Sequence, residues 1–328
     1  MKKVLSIICA LALIMGMISM FSGCGSKKEK VLIYTSSEDY RIEYMQECLN
    51  AKFPEYDIVI EYMSTGNHAA KLLAEGATTD CDITHDIEYS YLSQLEEKGI
   101  LADLSGYDKS IYADDVNLSN NYIVEIRNSA AVIVNTKVLE EKNLPEPTSY
   151  ADLLKPEYKG LISMPNPKAS GTGFMVLKSL VNAWGEEDAF AYFDSLTPNI
   201  LSYTSSGSGP VKALVQEEVA VGIGMTAQAV TEINNGTPLK VLFFEEGAPY
   251  TLYGQSIISG KETREAVKRV FDYLINEYNY ENNEKFFPEK IFKDKDYKVT
   301  NYPENIKYAD MTNNSIEEKN RLLDKWKY

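Results

Sequence analysis

Residues 30–37, KVLIYTSS, pass from Lys30 through an apolar run into Thr35, Ser36 and Ser37, the pattern of a buried strand ending at a turn. The next segment, EDYRIEYMQECLNAKF, spaces Ile42, Met45, Leu49 and Phe53 at helical intervals. The alternation repeats. YDIVIEYMSTG predicts a strand and NHAAKLLAEG a helix closed by Gly76; CDITHDIE predicts a third strand and YLSQLEEKG a third helix. Such alternation predicts a mostly parallel sheet covered by helices on both faces. A second run of the same grammar begins near Arg127, with SAAVIVNTKVL, GLISMPNP, NILSYTSS, VAVGIG and LKVLFFEE as strands and helices over 174–184, 186–195, 210–217 and 227–234. The part from TLYGQSIIS through an amphipathic helix at 264–278 is placed to rejoin the first run, so the pattern predicts two α/β lobes joined by crossing strands.

Where predicted strands meet their helices, the chain places small residues with hydroxyls. The four clusters are Thr35, Ser36 and Ser37; Ser64, Thr65 and Gly66; Ser170, Gly171, Thr172 and Gly173; and Ser206, Gly207 and Ser208, the last followed by Pro210 in a position suited to a first helical turn. In a parallel α/β sheet these turns lie along one edge, where ligands of such folds bind. A helix start leaves N–H groups unpaired and carries the positive end of the helix dipole. Four such turns, two per lobe, predict an oxyanion site built from neutral donors. Each cluster taken singly is also the composition of an ordinary N-cap. Asp86, following the third strand beside His85 and Glu88, is a candidate acceptor for a ligand ammonium, with a hydrogen bond to nearby backbone as the alternative role.

The N-terminus adds a compartment. MKK, an apolar run over 4–21 and then SGCGSKKEK form the pattern of an export signal, although the run is also long enough to span a bilayer uncleaved. Ser22, Gly23 and Cys24 resemble a lipoprotein box, in which the cysteine is lipidated and becomes the new N-terminus. The expected organisation is therefore a signal over 1–23 and a polar tether over 24–30. The formal charge of −15 argues against a sequence-independent grip on nucleic acid or on an anionic membrane surface. Only Cys48 and Cys81 then remain in the body, where a disulfide is permitted and two buried thiols are the other reading.

Competing chemistries find weaker support. Gly222, Gly224 and Ala227 have dinucleotide-loop spacing, with acids about twenty residues on as such a fold requires. Export would strand such a protein away from its cofactor, and the motif falls late in the alternation. Hydrolysis lacks its parts, since His68 and His85 are the only histidines and no G-x-S-x-G elbow occurs. Asp82 and Asp86 are a carboxylate pair, but Asp82 at a strand start suits a structural hydrogen bond. No zinc-type ligand spacing appears. No metal, cofactor or enzymatic activity is expected.

The stretch VIVNTKVLEEKNLPEPTSYADLLKPEYKGLISMPNPKASGTGFMVL, residues 132–177, resembles the middle of extracellular solute-binding proteins of bacterial ABC importers, specifically the iron(III), phosphonate, thiamine and sugar-phosphate cluster. Asn135 and Thr136, Leu144 and Pro145, the ADLL block, the PEYKG block and the Ser-Gly-Thr turn fall in the family's order, and a weaker likeness extends over about residues 30–280. The resemblance implies a periplasmic-binding-protein-like type II fold, two α/β lobes with a hinge and a ligand cleft between them. It places the first lobe at 31–127, the second at 128–250, and a return to the first lobe with the C-terminal helices at 251–328. It implies ligand contacts at the four turns, a monomer delivering a small molecule to an ABC permease, and a membrane connection through Cys24 on the extracytoplasmic face. Iron-binding members present adjacent tyrosines just after the strand corresponding to VAVGIG, where this chain has Met225, Thr226 and Ala227. That departure leaves hydroxyls and helix ends, suited to phosphate, phosphonate or a phosphate ester. The alternatives are a cationic or zwitterionic solute such as a polyamine or thiamine, a ferric chelate, or, from another class, a secreted hydrolase or nucleotide-binding enzyme.

Overall fold

The computed structural model describes residues 28–116 and 118–328, so the expected signal, Cys24 and most of the tether lie outside the described residues. Among those described, no helix is long and apolar enough to cross a membrane.

The predicted alternation forms the first lobe. Strands β1 (Glu29–Thr35), β2 (Tyr56–Tyr62) and β3 (Ile83–Glu88) pair in parallel in the order β2-β1-β3, and helices α1 (Asp39–Lys52), α2 (Thr65–Glu75) and α3 (Tyr89–Glu97) follow them in turn. Strand β4 (Ile123–Asn135) is buried throughout and serves both lobes. From Ile123 to Ser129 it runs antiparallel to β9 (Tyr250–Ile257), which also pairs with β3. From Ala130 to Val134 it pairs instead with β7 (Val221–Met225), and β8 (Leu239–Leu242) lies along its other edge. Strands β5 (Ile162–Pro165) and β6 (Ile200–Thr204) extend the second half of the sheet beyond β7 in parallel. Its helices are α4 (Thr136–Glu141), α5 (Gly171–Trp184), α6 (Glu186–Leu196), α7 (Gly209–Val215) and α8 (Thr226–Asn234).

The two halves have separate cores. Val31, Ile33, Leu49, Leu92, Ile257 and Phe271 belong to one, and Val132, Leu177, Phe193 and Val221 to the other. Full burial of each such Leu, Val or Phe side chain stabilises by roughly 1.5–3 kcal/mol. The chain after β9 returns to the first core through α9 (Glu265–Tyr273), a π-helical turn (Leu274–Tyr278) and α10 (Asn279–Phe286).

Two expectations need amendment. The apolar pattern begins the long strand at Ser129, whereas β4 starts at Ile123 and buries Glu125, Arg127 and Asn128. The final segment does not stay with the first lobe: α11 (Ile316–Lys325) and the residues after it place Leu322 and Trp326 in the second core, where Trp326 packs on Phe193 with ring centroids 5.1 Å apart. The reason is that Leu322 and Trp326 lie four residues apart, on one face of the last turns, and the second core has an aromatic surface to receive them. The glycines of the dinucleotide-like motif lie inside β7, and a Cβ on Gly222 would meet Leu214 Cδ1 at 2.7 Å, so they admit α7 against the strand. Cys48, half-buried, and Cys81, buried, are free thiols.

Candidate functional site

The strand-to-helix turns of the two lobes face each other around a cavity of about 30 Å³, room for a water or two. From the first lobe, Ser36 and Ser37 line it after β1, Ser64 and Thr65 at the start of α2, and Asp86 from β3. Across from them stand Ser170, Gly171 and Thr172 at the start of α5, and Ser206, Gly207 and Ser208 before α7. Glu38, Tyr62, Met225 and Tyr253 complete the wall, and of these four the sequence pattern points only to the place of Met225.

Three expected residues do not line it. Thr35 is fully buried beneath the turn, with its Oγ1 3.1 Å from His85 Nδ1 and accepting the Ser37 N–H at 3.2 Å. Gly66 faces the opposite lobe, where an added Cβ would sit 3.1 Å from the Lys168 carbonyl oxygen. Gly173 packs on its own turn, with only 2.6 Å between an added Cβ and the Pro165 carbonyl oxygen. Each is glycine or a small residue for close backbone approach or turn bonding.

The helix starts differ in how they are capped. At α5 the Ser170 hydroxyl accepts a long 3.4 Å bond from Gly173 N–H, and Ser170 N–H goes to the Asn166 carbonyl at 2.9 Å. The Gly171 and Thr172 N–H groups occupy the first two helical positions, which have no intrahelical acceptor. At α2 no side chain caps the helix, and the buried Ser64 hydroxyl has no partner among the described residues. The two ends therefore bring unspent donors to one cavity. Beneath the first-lobe turns sit both histidines. His68 Nδ1 lies 3.0 Å from Ser36 Oγ and its Nε2 3.0 Å from Thr84 Oγ1, so the imidazole fixes the Ser36 side chain. Burial lowers both His68 and His85 to about 3, keeping them neutral at ordinary pH.

Behind the cavity is a buried charge cluster. Arg41, on α1 and fully inaccessible, reaches Glu38 at 3.1 Å, Asp86 at 2.9 Å and Glu125 at 3.5 Å, with Asn282 Oδ1 at 3.3 Å from its Nε. Its guanidinium carbon lies 4.6 Å from the Phe287 ring centroid. His85 Nε2 is 3.0 Å from Glu125 Oε2 but off the line of a hydrogen bond. Three carboxyls thus share one permanent cation. Burial raises Glu38 and Glu125, and it raises Asp86 to about 6, with Arg41 opposing and Glu125 adding to the rise.

The backbone brings these acids together by two irregularities on either side of β9. The β3–β9 register shifts between Thr84 and Ile87, and the β4–β9 register shifts between Val124 and Ile126. Asp86 sits in the first bulge at φ +53°, and Glu125 in the second. Both bulges close on Gly254, the β9 partner of Ile87 and Val124, where an added Cβ would lie 2.6 Å from the Ile123 carbonyl oxygen. Bulges re-aim side chains at the cost of a ladder bond, and a left-handed aspartate beside a cavity is strain held by its surroundings. The sequence carries one sign of this cluster: Arg41 stands at helical spacing with Met45 and Leu49, the buried face of α1.

Comparison with known proteins agrees with this geometry. A family model described as bacterial extracellular solute-binding protein matches residues 82–319. An uncharacterized protein of Haemophilus influenzae is 26% identical over 272 residues, 79% of this chain and 77% of that one. A spermidine/putrescine-binding periplasmic protein of Salmonella typhimurium is 25% identical over 189 residues, 56% of this chain and 53% of its own length. Among solved structures, the periplasmic binding protein AfuA from Actinobacillus pleuropneumoniae with fructose-6-phosphate bound superposes with a TM-score of 0.78 at 25% identity, covering 91% of this chain and 98% of that one. A periplasmic thiamin binding protein superposes with a TM-score of 0.75 at 13% identity, covering 92% and 96%. With turns of two lobes converging on one cavity and a family match over most of its length, this chain belongs to the bacterial extracellular solute-binding proteins.

Proposed function

We propose that the protein is the substrate-binding component of an ABC importer, anchored through Cys24, which captures a small oxyanion-bearing solute such as a phosphonate or phosphate ester and hands it to a permease. The lobe boundaries proposed are those where β4 changes partners, near Asn128, and where β9 begins, at Tyr250. Hinge motion about these two crossings opens and closes the cleft. The observation that carries the reading is the pair of helix starts, α2 and α5, facing one cavity with unspent N–H donors and the Ser64 hydroxyl, which has no partner among the described residues. Neutral donors bind an anion without the desolvation cost of a buried lysine, and a hydrogen bond to a charged group contributes about 1.5–3 kcal/mol. The stretch Met225, Thr226 and Ala227, at the place of the adjacent tyrosines of the iron-binding members it resembles, puts Met225 in the wall and no phenolate, which supports an oxyanion over bare ferric iron.

Gly171→Val is the test. A Cβ there would lie 2.6 Å from Tyr253 Oη and 3.3 Å from Thr65 Cγ2, so a branched side chain obstructs both the N–H groups and lobe closure. Calorimetry with a panel of phosphate esters and phosphonates is expected to show affinity lost by about 10- to 100-fold, against little change for Thr172→Ser, which keeps the hydroxyl. Equal affinity in wild type and Gly171→Val would mean that this turn only caps its helix.

A second reading has its own observation: Glu38 and Asp86 line the cavity and, among its described residues, no lysine or arginine does. A solute bearing an amine beside its oxyanion would supply a second cation to Glu38 and Asp86, which otherwise share Arg41. Matched probes distinguish the readings. If the amine contacts Asp86, 2-aminoethylphosphonate binds more tightly than ethylphosphonate, and Asp86→Asn brings the ratio near one. A ratio already near one in the wild type removes the amine from the proposal.

A further inference from the structure

The C-terminal helix touches both walls of the cleft from outside it. On the second-lobe side, Leu322 and Trp326 are core residues, and the last carbonyls hold the turn that precedes α5: Lys168 Nζ donates to the Trp326 carbonyl at 2.8 Å and Asn166 Nδ2 to the Tyr328 carbonyl at 2.9 Å. On the first-lobe side, Lys319 is fully buried. Its Nζ donates to Glu88 Oε2 at 2.5 Å and to Ser90 Oγ at 3.0 Å, at the start of α3. The ammonium lies between rings of the two lobes, 3.7 Å from the Tyr91 centroid and 4.8 Å from that of Phe174. Tyr89 adds a bond to the Asn314 carbonyl at 3.0 Å. Glu88 in turn reaches the cavity wall, because its backbone N–H donates to Thr65 Oγ1 at 3.2 Å and its carboxylate accepts from Thr251 Oγ1 at 3.1 Å on β9.

We propose that Lys319 is a positioning residue for solute capture: its buried ion pair with Glu88 clasps the C-terminal helix, and with it the second lobe, to the first-lobe wall that carries Thr65. The inference rests on the reading of the cavity as the solute site. Its physical basis is the asymmetry of a buried pair. When the lobes separate, both charges regain water and neither is penalised. When they close, each charge is tolerated only because the other is there. Removing one partner therefore disfavours the closed form while leaving the open form intact, and removing both charges relieves the penalty. Because α11 belongs with the second core, closure and formation of the Lys319–Glu88 pair are one event.

The experiment combines binding kinetics with small-angle scattering, using fructose 6-phosphate as the probe and proteins checked for folding by circular dichroism. Lys319→Met is expected to weaken binding by at least about tenfold. The loss should fall in the dissociation rate, since closure retains the solute, with the association rate within about threefold. The radius of gyration should rise relative to wild type under the same conditions. The pair Lys319→Met with Glu88→Gln should recover most of the affinity, and Lys319→Arg part of it. A helix that only braces the fold would change the unfolding midpoint and leave dissociation alone. A folded Lys319→Met with wild-type dissociation rate and radius overturns the clasp. Should that variant not fold, Glu88→Gln, which leaves Lys319 as the unpaired charge, carries the same expectations. If no phosphate ester or phosphonate binds the wild type, the oxyanion reading fails by itself. The clasp then stands or falls on the radius of Lys319→Met against wild type.

Discussion

Arg41→Met is expected to destabilise the protein by about 3–5 kcal/mol at pH 8, the cost of leaving buried charges without their partner. Glu38, Asp86 and Glu125 surround this guanidinium, and His85, neutral at such pH, replaces none of its charge. The sign of the pH dependence follows from the acids. Their folded-state values are already raised by burial, Asp86 to about 6, and loss of Arg41 raises them further. A raised acid binds its proton more tightly folded than unfolded, so its stabilisation is present below the unfolded value, near pH 4, and is lost as pH rises through the folded one. The deficit of the variant relative to wild type should thus shrink between pH 8 and pH 5. Urea unfolding midpoints at both pH values measure it; Arg41 also helps to lower His85, so its loss reduces the cost of holding that imidazole neutral at pH 5 and shrinks the deficit in the same direction. A deficit that is the same at both pH values, or below about 1 kcal/mol, would show that the cluster is not electrostatically coupled as its distances require.

Trp326→Ala should cost about 3–5 kcal/mol, the range for deleting a large aromatic from a core. The indole is 2% exposed and packs edge-on against Phe193, Tyr203 and Tyr328. The loss should be felt in the second lobe, where its neighbours lie, although the residue is near the end of the chain. Hydrogen exchange separates the possibilities: protection should fall in α6 and β6 before β1 and β2. Uniform loss across both lobes would mean that they unfold as one unit, and no loss would mean that the C-terminal segment is an accessory to the core.

The site was partly legible. Hydroxyl and glycine clusters announced themselves because each turn is local chemistry, and most of those residues stand at the cavity. What escaped notice was brought there by pairing and packing. Tyr253 arrives through β9, a strand whose neighbours β3 and β4 are remote in the sequence. Glu125 and Arg127 argue against a strand when read for apolar alternation, yet β4 buries both. The apolar stripe placed Ile42 on the inner face of α1, but Arg41 occupies that face because Asp86 and Glu125 from other strands, with Glu38 at the start of its own helix, meet it there.

By itself the sequence determined the βα alternation, the small-residue turns at the strand ends and the order in which they appear, since periodicity and turn propensity act over a few residues. Only the tertiary structure decided that β4 divides its two halves between lobes, that two bulges around Gly254 bring Asp86 to Glu125, and that the last helix crosses to the second core. Those outcomes depend on long-range pairing and on which buried charge finds a partner, and neither quantity is a property of any short window of residues.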